Sequence, residues 1–414
     1  MFGIVHCVVS CASKCFDARL SFFRCRSKRR MTGRTLSTPE HDDPVLNIQG
    51  DRRVAIVHYW LVGMRGGEKV IEALCRMFPR ADIITHVVDR AKLSDTLNAH
   101  NIIETRIGRL PLARKMYQKY LPLMPRALED LDMSGYDLVI SSEAGPSKGV
   151  ITRPDVPHLC YCHSPMRYLW DQYHVYRNGA GVITRAIMPS MAHRLRQWDV
   201  TSAARVDRFV SNSTFVAKRV EKFWRRPSDV VAPPVAIEEF EPVPADALGD
   251  FYLWAGELAS YKRPDIAVRA FKQLGLPLVV IGGPDKTVAR LKTLAGPKTT
   301  FLGKVDFATL KSHMARCRAL IFPGEEDFGI VPVEVMASGR PVIAYGRGGI
   351  LDSVLENETG LFFQEQTVDA LVDAVSRFEG SDLAKADAEQ FTARAQDFSE
   401  LHFRRGIAKS LEEI

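Results

Sequence analysis

From Arg53 onward, short runs of β-branched and aromatic residues alternate with amphipathic stretches of about ten to fifteen residues, and the pattern occurs twice. Strands spaced by helix-length segments cannot form hairpins. They pair in parallel, with the helices as crossovers, so the alternation predicts an α/β fold with wound parallel sheets. In the first half, VAIVH (54–58), DIITHVV (82–88), DLVISS (137–142), HLCYC (158–162) and RFVSNS (208–213) read as strands. In the second half the strands are FYLWAGE (251–257), PLVVIGG (277–283), TTFLGKV (299–305), ALIFP (319–323) and PVIAY (341–345). Helical patterns fill 265–274, 285–295, 306–316, 331–338 and 366–378. The stretch 230–250 between the halves is rich in Pro and acid and reads as a linker. The expected organisation is a leader (1–50), a first Rossmann-like domain (51–235), a linker (236–250), a second Rossmann-like domain (251–397) and a C-terminal helix (398–414) packed back across the junction. Two such domains face each other across a cleft, and ligands bind there at the carboxyl ends of the strands.

A chain of 414 residues, 25% charged and 46% hydrophobic, has enough apolar surface for two cores. No run of 18 apolar residues occurs, so no spanning helix is expected. The excess of 56 Lys+Arg over 49 Asp+Glu suits anionic ligands or an anionic membrane surface better than dedicated nucleic-acid binding. Four of the eight cysteines fall in the first 25 residues, and Cys75, Cys160, Cys162 and Cys317 are scattered through apolar segments. That distribution is no disulfide framework. Cys7, Cys11 and Cys15 would line one helix face, without the spacing or the histidines of a zinc site. The mildly apolar residues 2–23 precede Arg24, Arg26, Lys28, Arg29 and Arg30, the reverse of a signal peptide's charge order. The leader therefore reads as disordered or as sequence upstream of a start at Met31, ahead of a membrane-surface or targeting segment; the folded part begins near Asp51.

The segment GEEDFGIVPVEVMASGRPVIAYGRGG (324–349) follows a strand and opens a helix near Ile330, with Glu326 and Glu334 separated by seven residues. A phosphate at that helix start would meet the free amides of Gly329, Ile330 and Val331 and a macrodipole of roughly half a charge. Two carboxylates beside a phosphate repel it, so they are better suited to accept hydrogen bonds from sugar or ribose hydroxyls. In GELASYKRPDIAV (256–268), Lys262 and Arg263 stand where a cation would neutralise a leaving diphosphate. The Gly-rich turn GMRGGEK (63–69) joins a strand to a helix and lacks the full dinucleotide fingerprint. His163 ends a strand at the cleft edge, followed by Arg167, Tyr168 and Trp170, which can stack on a sugar or pack in the core. In 108–129, Leu112, Met116, Tyr120 and Leu123 recur at helical spacing among Arg109, Arg114, Lys115, Lys119 and Arg126, a basic amphipathic pattern suited to an anionic membrane surface or to a solvated helix face.

The E-x7-E pair within DFGIVPVEVMASGRPVIA resembles the donor-site signature of family-4 retaining glycosyltransferases of the GT-B fold, and the likeness runs from Val54 nearly to the C-terminus. Segments 56–83, 161–173 and 210–220 look like a bacterial surface-polysaccharide mannosyltransferase subgroup. The resemblance implies that Glu326 lies by the donor sugar and Glu334 holds the nucleotide ribose. It implies further that Lys262 neutralises the diphosphate, and that Gly66, Gly67 and Ser213 line the donor site. His163 then hydrogen-bonds a sugar hydroxyl, and Arg65, Arg167, Tyr168 and Trp170 fall to the acceptor side. Glu257 departs from the pattern, since many members carry Arg there, and Arg263 is the substitute candidate.

The implied reaction moves a sugar from a nucleotide diphosphate to a polyprenyl-diphosphate-linked oligosaccharide with retention, by front-face attack, at the cytoplasmic face of the plasma membrane. GDP-mannose is the favoured donor and a UDP-sugar the alternative. No cofactor and no metal are expected, because no DxD stands at a strand end and Asp42-Asp43 lies in the leader. The rival from another class is a catalytically silent scaffold of the same fold, and Glu257 is the feature that favours it.

Overall fold

A computed structural model describes residues 48–414. The cysteine stripe, the Met31 start and the Asp42-Asp43 pair lie outside the described residues. The first sheet contains seven parallel strands: β1 (Val54–His58), β2 (Asp82–Thr85), β3 (Ile102–Glu104), β4 (Leu138–Glu143), β5 (His158–Cys162), β6 (Arg208–Ser211) and β7 (Asp229–Val230). Their spatial order is β3-β2-β1-β4-β5-β6-β7, so the winding reverses between β1 and β4. Helices cover both faces of such a sheet, which is why VAIVH and HLCYC are apolar apart from one histidine each and are buried at every position. In the Gly66–Met77 helix, Val70, Ile71, Leu74 and Met77 recur at the 3.6-residue period and are all buried.

The second sheet holds β8 (Tyr252–Ala255), β9 (Leu278–Ile281), β10 (Thr299–Gly303), β11 (Leu320–Phe322), β12 (Val342–Tyr345) and β13 (Gly360–Phe363), in the order β10-β9-β8-β11-β12-β13. Here the winding reverses between β8 and β11. The stretch read as a linker is anchored, because Val235, Ile237 and Phe240 are buried in the second domain's core. The chain then recrosses: in the Glu400–Glu412 helix, Phe403 and Ile407, four residues apart, enter the first domain's core, and Phe403 packs edge-on against Tyr161.

One sequence expectation needs correction. Segment 108–129 is not one helix: it breaks into the Ala113–Met116 and Met124–Glu129 helices around a 3-10 stretch, Tyr117–Leu123, with Pro122 inside it. Leu112 has φ 54, so the phase restarts there. The buried positions become Ala113, Tyr117, Met124, Ala127 and Leu128, while Leu112 and Leu123 are exposed. The 22-residue Val182–Ala203 helix lies in the stretch between β5 and β6, and its first turns expose Val182, Ile183 and Ile187, which blurs the apolar stripe that would have given its bounds. Among the described residues, no helix is long and apolar enough to cross a membrane.

Candidate active site

The two winding reversals leave crevices at the carboxyl ends of β1/β4 and β8/β11, and the loops leaving those strands carry most of the residues singled out above. In the second domain, Lys262 from the loop after β8 and Glu326 from the loop after β11 meet as an ion pair, with Nζ to Oε1 at 2.7 Å. Both side chains are mostly buried, 15% and 16% exposed, so the pair is poorly screened by water. Gly329 caps the Ile330–Ala337 helix with φ 91, a conformation that costs other residues about 1–2 kcal/mol. The amides of Gly329, Ile330 and Val331 make no hydrogen bond among the described residues, and Pro332 has no amide hydrogen to offer. Glu334 lies one turn along on the same face. Its carboxyl has no hydrogen bond or ion pair among the described residues. Burial, then repulsion from Glu239, pushes its pKa up to about 7 against the opposing pull of Lys262.

The first domain abuts this helix start. A β-carbon on Gly66 would sit 2.8 Å from the Ile330 Cδ1, so the two domains approach closely here. One on Gly67 would lie 2.8 Å from the Tyr59 hydroxyl, 3.5 Å from His58 and 3.8 Å from His163 Nε2. His163 is half-buried at the end of β5, and its amide donates to the Glu143 carbonyl at 2.8 Å. Its Nε2 lies 2.8 Å from Ser142 Oγ. Burial lowers its pKa to about 4, which keeps the ring neutral and suits hydrogen bonding rather than proton uptake.

The acidic loop that ends in Gly329 also clasps the two domains. Asp327 pairs with Arg219 at 2.5 Å and Arg167 at 3.5 Å, and Glu325 approaches Arg167 at 4.0 Å and Arg347 at 3.8 Å. Arg219, only 7% exposed, also donates to Ser164 Oγ at 2.9 Å and to Asp171. The Thr214 amide donates to Asp352 at 2.6 Å. Arg219 stands inside the quoted segment 210–220, but its partners come from two other loops, one of them in the other domain, so sequence reading passed over it.

The remaining candidates divide. Ser213 is fully buried; it accepts from the Val216 amide as a helix cap and donates to the Asp327 carbonyl, so it joins the domains instead of facing a ligand. Arg263 spends its guanidinium on Asp265, at 3.0 and 3.1 Å, and on Gln366. Arg65 is exposed at the cap of the Gly66–Met77 helix. Trp170 is turned inward: its indole stacks on Phe223 at 4.8 Å and donates to Asp199 at 2.7 Å. Tyr168 packs edge-on against Tyr176, with its hydroxyl buried. Arg109, Arg114, Lys115, Lys119 and Arg126 are all exposed.

Sequence reading also missed a buried charge cluster behind His163. Lys148, fully buried, reaches Glu143 at 3.3 Å and Asp199, and sits 4.1 Å over the Trp224 ring. Burial alone would lower its pKa, but Asp199 and then Glu143 outweigh that and raise it. The Ser147 and Lys148 amides, at 2.8 and 2.9 Å, satisfy the other Glu143 oxygen. A cavity of about 410 Å³ lined by Ser260, Arg263, Arg269 and Arg290 borders the Lys262 loop without including Glu326, Glu334 or His163. Among the described residues, no three His, Cys, Asp or Glu side chains converge as metal ligands would.

The chain is similar to known proteins over most of the described residues. Residues 64–239 match the family model described as Glycosyltransferase Family 4, and residues 237–397 match Glycosyl transferases group 1. Among curated proteins, a D-inositol 3-phosphate glycosyltransferase from Rhodococcus erythropolis is 30% identical over 237 residues, 50% of this chain and 54% of that one. One from Mycolicibacterium paratuberculosis is 32% identical over 168 residues, 36% and 38%. The chain thus spans about half or less of the curated relatives it matches. Among solved structures, sucrose-phosphate synthase from Thermosynechococcus elongatus superposes with a TM-score of 0.68 at 18% identity, over 87% of this chain and 98% of that one. HepE of Anabaena, solved with UDP-glucose, gives 0.62 at 16%, over 88% and 100%. Both share the fold of two parallel-sheet domains.

Proposed function

The chain belongs to the family-4 glycosyltransferases of the GT-B fold, and from that premise we propose that it transfers a sugar, with retention and without a metal, from a nucleotide diphosphate to a lipid-linked oligosaccharide. The observation that carries the reading is the Lys262–Glu326 pair beside the open amides of Gly329, Ile330 and Val331, opposite Gly66, Gly67 and His163. The amides and Lys262 hold the departing diphosphate, where negative charge develops in the transition state. Glu334 accepts from the ribose hydroxyls, Glu326 and His163 hold the sugar, and the departing phosphate takes the acceptor's proton. Arg65 and Arg167 remain acceptor-side candidates.

GDP-mannose is our first choice of donor, on the subgroup likeness of segments 56–83, 161–173 and 210–220; a UDP-sugar is the second, since a HepE of this fold was solved with UDP-glucose. The acceptor is a polyprenyl-diphosphate-linked oligosaccharide of a bacterial surface polysaccharide. The enzyme meets it as a peripheral protein on the inner face of the plasma membrane, using the exposed Arg109, Arg114, Lys115, Lys119 and Arg126 around Leu112 and Leu123.

A thermal-shift screen against GDP, UDP, ADP and their sugar conjugates tests the donor half. A binding nucleotide adds about 2.7 kcal/mol of stability at a hundredfold excess over its Kd. A shift with GDP and GDP-mannose, lost in Glu334→Ala, supports the first choice; a UDP-only shift selects the second. Absence of any nucleotide shift, with donor hydrolysis identical in wild type and Glu326→Ala, would refute the transferase reading in favour of a silent scaffold. For the membrane half, an Arg114→Glu, Lys115→Glu, Lys119→Glu variant is expected to lose sedimentation with anionic phosphatidylglycerol vesicles while keeping its nucleotide shift.

A further inference from the structure

We propose that Ser142 and His58 act as positioning residues that hold His163 in the tautomer with its hydrogen on Nδ1, so that the ring offers the donor site an N–H rather than a lone pair. The inference rests on the reading of His163 as a donor-sugar contact. Ser142 Oγ, fully buried on β4, stands between two imidazoles, 3.1 Å from His58 Nδ1 and 2.8 Å from His163 Nε2. Burial depresses the pKa of both rings, and their mutual repulsion lowers that of His58 further, so each carries one hydrogen.

Ser142 has a single proton, and its hydroxyl has no acceptor among the described residues other than the two rings, so two arrangements satisfy it. In one, His58 Nδ1–H donates to Ser142 Oγ, and the hydroxyl donates to His163 Nε2, leaving the His163 hydrogen on Nδ1. In the other, His163 Nε2–H donates to Ser142, the hydroxyl donates to His58 Nδ1, and His58 must carry its hydrogen on Nε2. The surroundings of His58 decide between them. Its Nε2 is buried with no hydrogen-bond partner. A buried N–H without an acceptor is the costlier orphan, whereas a bare ring lone pair is the better tolerated one. The first arrangement places only a lone pair there. His163 Nδ1 makes no hydrogen bond among the described residues, and its hydrogen is left for a ligand oxygen, a hydroxyl or a phosphate.

The test reads the tautomer directly. Full-length protein labelled with 15N-histidine is examined by long-range proton–nitrogen correlation, with the His163 signals assigned by their loss in His163→Gln. The expected result is a protonated Nδ1 and a bare Nε2 in wild type, and a move of the hydrogen toward Nε2 in Ser142→Ala. With a nucleotide-sugar donor, Ser142→Ala is expected to lower kcat about tenfold, the equivalent of one good hydrogen bond, with KM little changed. Ser142→Thr, which keeps the hydroxyl, restores both signals. A hydrogen on Nε2 of wild-type His163, or the same tautomer in Ser142→Ala, overturns the proposal. Should Ser142→Ala fail to fold, the wild-type spectrum alone decides. No donor enters the tautomer measurement, so a failure of the transferase reading would show in the turnover assay and leave the spectrum to judge the relay.

Discussion

Glu326→Gln should separate donor binding from donor chemistry, and in opposite directions. At 2.7 Å and an effective dielectric of about 20, the Lys262–Glu326 attraction is about 6 kcal/mol before desolvation is subtracted. The net value of a charge-assisted contact is nearer 1.5–3 kcal/mol. A diphosphate arriving at the Ile330 helix start must share Lys262 with this carboxylate and suffer its repulsion. Replacing the carboxylate by the isosteric amide removes both penalties and leaves the lysine as an uncommitted cation. A gain of about 1–2 kcal/mol corresponds to roughly 5- to 30-fold tighter binding of GDP or UDP. Turnover moves the other way: loss of a preorganised group at the transferring sugar costs about 100- to 1,000-fold in kcat.

Calorimetric titration of the nucleoside diphosphate and a radiolabelled transfer assay measure the two effects on the same preparations. Lys262→Met, alone and combined with Glu326→Gln, completes a double-mutant cycle, and the gain from Glu326→Gln should vanish when Lys262 is absent. The reasoning is refuted if Glu326→Gln binds the diphosphate no better than wild type, or if the gain survives without Lys262. In either case the carboxylate is not the lysine's competitor and the phosphate cation lies elsewhere.

Four further outcomes are expected. Burial pushes the Glu334 pKa up to about 7; in the proposed role, where the ionised form accepts from the ribose hydroxyls, nucleotide affinity should be flat above pH 8 and weaken by up to about tenfold per unit below pH 7, a dependence absent in Glu334→Gln. Because its folded-state pKa is raised, the same group costs stability as pH rises from 4.5 through about 7, so Glu334→Gln should out-melt wild type at pH 8 and match it at pH 4.5. Lys148→Met leaves Glu143 and Asp199 buried without their counter-charge and should cost about 3–5 kcal/mol, read as a lowered melting temperature. Gly67→Ala drives a methyl to 2.8 Å from the Tyr59 hydroxyl beside His163, an overpacking of about 1–3 kcal/mol, and should lower kcat/KM for the donor more than it lowers the melting temperature.

What could be read in the sequence, and what could not, follows from how far apart the deciding residues lie along the chain. Strand and helix periods are local, so β1, β5, β8 and β11 and the helices behind them were legible from their own residues. The strands left unread, β3, β7 and β13, are two to four residues long and all lie at sheet edges, each paired on one side only. Glu326 and Glu334 were legible because both flank one helix start. Their pairing was not: Lys262 meets Glu326 only because β8 and β11, non-consecutive in the chain, are neighbours in the sheet.

The fate of the aromatic run 168–170 has the same cause. Nothing in MRYLWD tells a sugar platform from a core wedge, and Trp170 is turned inward by Asp199, which stands on the Val182–Ala203 helix, whose bounds the blurred apolar stripe concealed. Asp199 accepts from Trp170 and Trp224 through one oxygen and holds Lys148 with the other. Lys148 in turn ties to Glu143, whose carbonyl receives the amides of His163 and Ser164. A charge buried for its own sake is poor value in stability, since desolvation offsets most of the attraction. Here the cluster has a geometric consequence that an apolar core of the same volume lacks: it fixes the end of β4, and with it the backbone of His163 and the Ser142 hydroxyl one residue before Glu143. The residues that hold the site in shape thus carry no local signature of their role, because each acts on the chemistry through a neighbour drawn from another part of the chain.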